Sequence, residues 1–291
     1  MPVHPPPGPR LASGSQSLSP PPLRIWQLLG FLAFSHGWTW AWWAAATAVG
    51  ESVWDWPASA LFYVGGAGVF LGGVIMTGVI SGGAGLRDLG RRTLDPRPIP
   101  GRWWVTLLLF YPLLTLAAAG AALALGATDR PLDLAAAADR VANPVGLVSM
   151  MVFLFILGPL PEEIGWRGFL QDRLQARWTG LAAALVIALV WWVWHLPLLV
   201  LPGYYDAFGR SAPTPLDFLW SLIPAAILYA WIFNRTHRSV LAVILFHFLE
   251  NFTSEFLGVA DAMRPHRLAL MVGIAVVVVL AGGLQDPRRR G

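Results

Sequence analysis

Hydrophobic residues fall along this 291-residue chain in runs rather than in the mixed pattern of a soluble protein. Four runs, 61–80, 103–125, 181–201 and 268–284, approach or exceed the roughly 20 residues that a helix needs to cross about 30 Å of hydrocarbon. Four weaker runs lie at 25–49, 145–160, 216–233 and 240–257. The pattern predicts an all-α polytopic bundle of about eight membrane helices. Residues 24–285 form the integral membrane domain. Residues 1–23, with eight prolines and no apolar periodicity, read as a disordered tail, and 286–291 as a short basic tail. The polar stretch 128–143 is expected to be an outer loop carrying a short amphipathic helix.

Composition agrees: 56% of residues are hydrophobic and only 12% charged, against about half and a quarter in soluble proteins. Cysteine is absent, which excludes disulfides and thiolate chemistry. All twenty basic residues are arginine, and with abundant Ala, Gly and Pro this suggests a high-GC bacterial genome. With eight spans both termini share a side, and that side takes fifteen of the arginines, Arg167, Arg173 and Arg177 among them. The positive-inside rule then places both termini in the cytoplasm of a bacterial plasma membrane. Arginine here sets orientation and lipid contact, and no basic face suits nucleic acid.

The glycines of the second span, with Gly68 and Gly72 four residues apart, predict close helix packing rather than chemistry. The informative stretch is 145–258. Pro159 and Pro161 predict a break in the fourth span, followed by Glu162-Glu163-Ile164-Gly165-Trp166-Arg167. Thr179-Gly180 is a turn, with Glu163 sixteen residues before Thr179 and His195 sixteen after. Two helical arms would put both about 24 Å from the turn, facing each other across an antiparallel hairpin. The tip carrying Arg173 and Arg177 is expected to protrude into the cytoplasm. His247 and Asn251 lie on one face of the seventh span, about 12 and 18 Å from its start. Glu163 and Arg167 share that i, i+4 spacing and are placed to form an internal ion pair.

Each element has a bland reading. Charges near helix ends snorkel, a membrane histidine often serves packing, and His247 and Asn251 can simply bond neighbouring helices. Three helices bringing polar groups to one depth outweigh it, because an ionised side chain in mid-span costs about 2.5–3.5 kcal/mol on insertion scales. His36 and Glu250 read as structural and His237 as a solvated loop residue. No internal repeat supports a proton-coupled transporter, which stays the weaker alternative beside a non-catalytic scaffold, regulator or immunity protein.

Glu162-Glu163-x-x-x-Arg167, Trp191-x-x-x-His195 and His247-x-x-x-Asn251 resemble the three motifs of the CPBP (Abi) family of CAAX prenyl proteases and bacteriocin-processing membrane proteins. The resemblance covers about 110 residues, a peptidase core at about 145–258. Its one departure is Trp191, where the family usually has Phe. It implies an intramembrane endopeptidase in which Glu162 and His195 activate a water, while His247 and Asn251 donate to the oxyanion. Glu163, held by Arg167, would support, although the sequence does not separate the two glutamates. Zinc on Glu162, His195 and His247 stays open as a cofactor, with the balance towards a metal-free site. The implied partners are membrane lipids and a protein or peptide substrate entering from the membrane or the cytoplasm.

Overall fold

The computed structural model describes residues 23–50 and 52–285. The two tails, 1–22 and 286–291, lie outside the described residues. Nine helices account for the described chain: α1 (residues 25–49), α2 (Ala58–Leu94), α3 (Gly101–Ala124), α4 (Leu134–Ala142), α5 (Pro144–Leu174), α6 (Gly180–Leu199), α7 (Pro215–Arg235), α8 (Val240–Phe256) and α9 (Arg264–Leu280). The short α4 is the loop helix expected from the sequence. Six of the others, α2, α3, α5, α6, α7 and, counted from Asp261, α9, are long and apolar enough to cross a membrane. Thus the chain is an all-helical, multi-pass membrane protein. The other two expected spans, α1 and α8, are also helical. However, a π turn at Ala33–Trp38 interrupts α1, and α8 is 17 residues long with two glutamates.

The helix ends follow from their capping residues. Asn143, Thr179, Thr214 and Ser239 each accept a backbone N–H from the first turn of α5, α6, α7 and α8. These caps fix the two antiparallel hairpins, α5–α6 and α7–α8, on which the motif residues lie.

α5 has two unlike halves. Pro144–Ile156 buries no residue and offers Val145, Val148 and Val152 outward, as a helix in hydrocarbon does. The helix stops at Ile156 and restarts at Pro159 with Gly158 off the helical path (φ −128°, ψ −93°), which is the break that the prolines predict. Beyond it every residue from Glu162 to Gln175 is buried, so the second half is the axis of the bundle. Ile164–Gln171 is wound as a π-helix, wider than an α-helix, with i→i+5 hydrogen bonds.

Small residues make this position available. Gly73 of α2 packs on Gly165 of α5 so closely that a Cβ on Gly73 would sit 2.9 Å from the Gly165 Cα. Gly68 and Gly72 instead face the backbone of α1 at Phe34 and Phe31, the packing role read from their spacing. α2 is therefore a spacer-free surface with α1 on one side and the motif helix on the other.

At the hairpin ends a second polar layer closes the bundle. Arg238 donates to Asp172 with its Nε at 2.6 Å, Arg92 to Asp88 at 2.9 Å and to the Gly168 carbonyl at 3.0 Å. His237 and Arg238 both take left-handed backbone (φ 53° and 65°), with His237 exposed and Arg238 turned inward. These pairs correct one expectation. The hairpin tip does not protrude as a whole: Asp172 and Arg173 are buried, and of its two arginines only Arg177 is exposed. Arg167, counted with the inner loops, is fully buried and contributes nothing to loop charge.

Gly165→Ala should lower stability by roughly 1–3 kcal/mol, the usual cost of overpacking, because the added methyl meets the Val69 backbone. A thermal unfolding midpoint in detergent reads it; a midpoint equal to that of the wild type would show that α2 and α5 can separate freely.

Candidate active site

Glu163 has no exposed surface, and its side-chain partners are Arg167 and His247. Arg167 Nη1 lies 3.1 and 2.9 Å from its two oxygens, and His247 Nδ1 lies 2.8 Å from Oε1. Arg167 is fully buried too. Its guanidinium is held between the rings of Trp191 (4.9 Å) and Tyr229 (4.8 Å), which supply cation–π attraction where water is excluded. The expected Glu163–Arg167 pair is present, and His247 joins it from α8.

Glu162 lies one residue earlier with a different partner. Its Oε2 accepts the Trp191 indole N–H at 2.8 Å. The two glutamates are thus separated by their surroundings: Glu163 is bonded by the Arg167 guanidinium and the His247 ring, Glu162 by the neutral indole of Trp191.

Trp191 also fixes His195. The His195 Nδ1 donates to the Trp191 carbonyl at 2.9 Å, which leaves Nε2 with a free lone pair. The ring stands edge-on to Trp194 (4.6 Å) and Phe218 (5.1 Å). The contact across the hairpin is therefore made by Trp191, one turn before His195, rather than by His195 itself. The π-helix explains the shift. It advances less per residue than the α-helix assumed in the arithmetic, so the glutamates lie nearer the turn.

A cavity of about 640 Å³ adjoins this cluster. Trp191, His195, His247 and Asn251 share its wall with Tyr229 and Glu250. Asn251 turns towards the break in α5, where its Nδ2 would lie 3.7 Å from a Cβ placed on Gly158. Glu162 is not a wall residue but keeps 8% of its surface exposed behind Trp191.

Two wall residues were not read as part of the site. Glu250, set aside as structural, accepts from Tyr229 Oη at 2.5 Å and from Arg267 at 2.8 Å. Tyr229 connects this pair to Arg167 and carried no signal in the sequence, being one tyrosine in an apolar run. His36 keeps the structural role expected of it, with Nε2 3.1 Å from the Val190 carbonyl.

Among the described residues no three His, Cys, Asp or Glu side chains converge closely enough to hold a metal ion. Both histidines have Nδ1 committed, one to Trp191 and one to Glu163, which leaves each Nε2 available.

Residues 144–253 match the family model of type II CAAX prenyl endopeptidases, Rce1-like. A curated relative, CAAX prenyl protease 2 of Methanococcus maripaludis, is 30% identical over 132 residues, 45% of this chain and 49% of the relative. The chain thus spans about half the length of the curated relative it matches. The resemblance drawn from the three motifs is borne out over this stretch, which contains every one of them.

Removing Arg167 would leave Glu163 buried with half its compensation. Arg167→Ala should cost about 3–5 kcal/mol, as breaking a buried pair does, and Arg167→Lys should recover only part of it, because an ammonium cannot stack between two rings. Chemical or thermal unfolding in detergent measures both; full recovery by lysine would contradict the stacking.

Proposed function

We propose, on the premise that residues 144–253 carry the core of the Rce1-like type II CAAX prenyl endopeptidases, that this chain is an intramembrane endopeptidase. Its substrate would be a membrane-associated or lipidated protein or peptide. The observation that carries the reading is the unequal occupation of the two glutamates. Glu163 is committed to Arg167 and His247, whereas Glu162 accepts from the neutral Trp191 indole and keeps 8% of its surface exposed.

In this reading Glu162 is the general base. It takes the proton of a water that attacks the scissile carbonyl, while the free His195 Nε2 orients that water. The Glu162 carboxyl then passes the proton to the leaving amine, so the base is restored when the peptide bond has broken. His247 and the Asn251 amide donate to the developing oxyanion, an arrangement typically worth a few kcal/mol when the donors are held in advance. Donation from His247 Nε2 while Nδ1 stays bonded to Glu163 makes the ring an imidazolium, whose charge meets the developing oxyanion. Arg167, Tyr229 and Trp191 touch no substrate here; they hold the groups that do.

The proposed chemistry needs no metal, and no step is routed through one. The donor set serves it: each histidine has its Nδ1 oriented by a hydrogen bond, leaving Nε2 for general-base or oxyanion work. The arginine distribution supports a reading in which both termini are cytoplasmic.

Glu162→Ala and His195→Ala should each lower the cleavage rate of a reporter peptide by roughly 10²–10⁴-fold in purified, folded protein. Cleavage at the wild-type rate by either variant would remove that residue from the mechanism. Asn251→Ala should lose about 10²–10³-fold in kcat. A zinc chelator should leave the wild-type rate unchanged, and a reversible loss would return zinc to the site.

A further inference from the structure

A second, smaller cavity of about 190 Å³ lies where the start of α1 meets the tip of the α5–α6 hairpin, and it shares no wall residue with the first. Its basic wall is Arg24, Arg173 and Arg177; its apolar wall includes Leu28, Trp178 and Val186. Among the described residues none of the three arginines has a carboxylate within ion-pair distance. The acidic residues nearest in the fold are already taken: Asp172 pairs with Arg238, and Asp88 with Arg91 and Arg92.

Arg173 is the informative member. It is 97% buried, since only 3% is exposed, and its Nε has no hydrogen-bond partner among the described residues. Its guanidinium rests over the Phe169 ring at 4.1 Å and reaches the Phe169 carbonyl at 3.3 Å. A buried cation with an idle N–H favours an anionic acceptor, since charge-assisted hydrogen bonds are the strong ones and an unmet donor is costly. Arg24 and Arg177, both exposed, flank the opening.

The surroundings indicate what kind of anion fits. Trp26 (47% exposed) and Trp178 (43% exposed) lie at the ends of apolar helices, the position of aromatic side chains at a membrane interface. The wall beside the arginines is aliphatic and aromatic, which serves an acyl chain and offers nothing to a free phosphate. We propose that this cavity binds an anionic phospholipid, its headgroup phosphate on Arg24, Arg173 and Arg177 and its chain against Leu28, Trp178 and Val186. The bound lipid would tie α1 to the tip of the hairpin whose arms carry Glu162, Glu163, Trp191 and His195. This proposal does not depend on the peptidase reading.

The test is the unfolding midpoint of the full-length protein in vesicles of phosphatidylcholine alone and with added phosphatidylglycerol, a readout in which cleavage plays no part. Phosphatidylglycerol should raise the wild-type midpoint, and inorganic phosphate should not. Arg177→Ala and Arg24→Ala, both at exposed positions, should each weaken the lipid's apparent affinity about five-fold, as expected when one interfacial arginine contributes about 1 kcal/mol. Arg102→Ala, an exposed arginine outside the cavity, should leave it unchanged. Equal losses in all three variants would mean diffuse surface attraction and overturn the site. Stabilisation by inorganic phosphate would make it a plain anion site and overturn the lipid. No gain from phosphatidylglycerol in the wild type would mean the cavity is closed to lipid, with the same consequence.

Discussion

A carboxylate shut away from water has to be compensated by what the fold brings to it, and Glu163 is where that requirement is met here. Arg167 from its own helix and His247 from α8 both reach it, and the rings of Trp191 and Tyr229 cover the guanidinium from α6 and α7. Four helices are thereby fixed around one negative charge. Losing any partner leaves a buried charge uncompensated, a penalty of several kcal/mol against a total stability of about 5–15 kcal/mol. The cluster also determines what remains free. Glu162, His195 and Asn251 are held beside it without being consumed by it.

Local backbone features deliver this charge to the centre. The break at Gly158 turns α5 from a helix that buries nothing into one buried on all sides, within the length of a single span. The Gly73–Gly165 contact lets α2 come close enough to shield it. The π winding of Ile164–Gln171 lowers the glutamates towards the turn, so that they meet Trp191. At the other end of the same segment, Asp172 locks the left-handed turn at Arg238. Chemistry in the middle of α5 is thus anchored from both sides by geometry that costs nothing in polar exposure.

Much of this was legible in the residues. Periodicity and prolines located the helices and the break, and the i, i+4 spacing of Glu163 and Arg167 foretold their pair. What stayed hidden has physical reasons. A π-helix has no sequence signature, so rise arithmetic paired Glu163 with His195 when Trp191 is the contact. Charge alone suggested that Arg173 points outward, because a linear reading cannot show that Asp88, Arg92 and Arg238 enclose the hairpin tip. Trp191 gives an indole N–H to Glu162, which the phenylalanine usual at this position could not. Tyr229 was invisible because its role is defined by Arg167, on another helix.

The family match covers the segment with all three motifs, and the chain spans about half of its curated relative, so the division of labour between the two glutamates rests on this chain's own geometry. The most direct measurement sets Glu162→Gln beside Glu163→Gln, each assayed for unfolding midpoint and single-turnover peptide cleavage in one membrane preparation. The account predicts a near-native midpoint with cleavage abolished for the first, and a lowered midpoint with residual cleavage for the second. The reverse assignment, or two variants that behave alike, would contradict it.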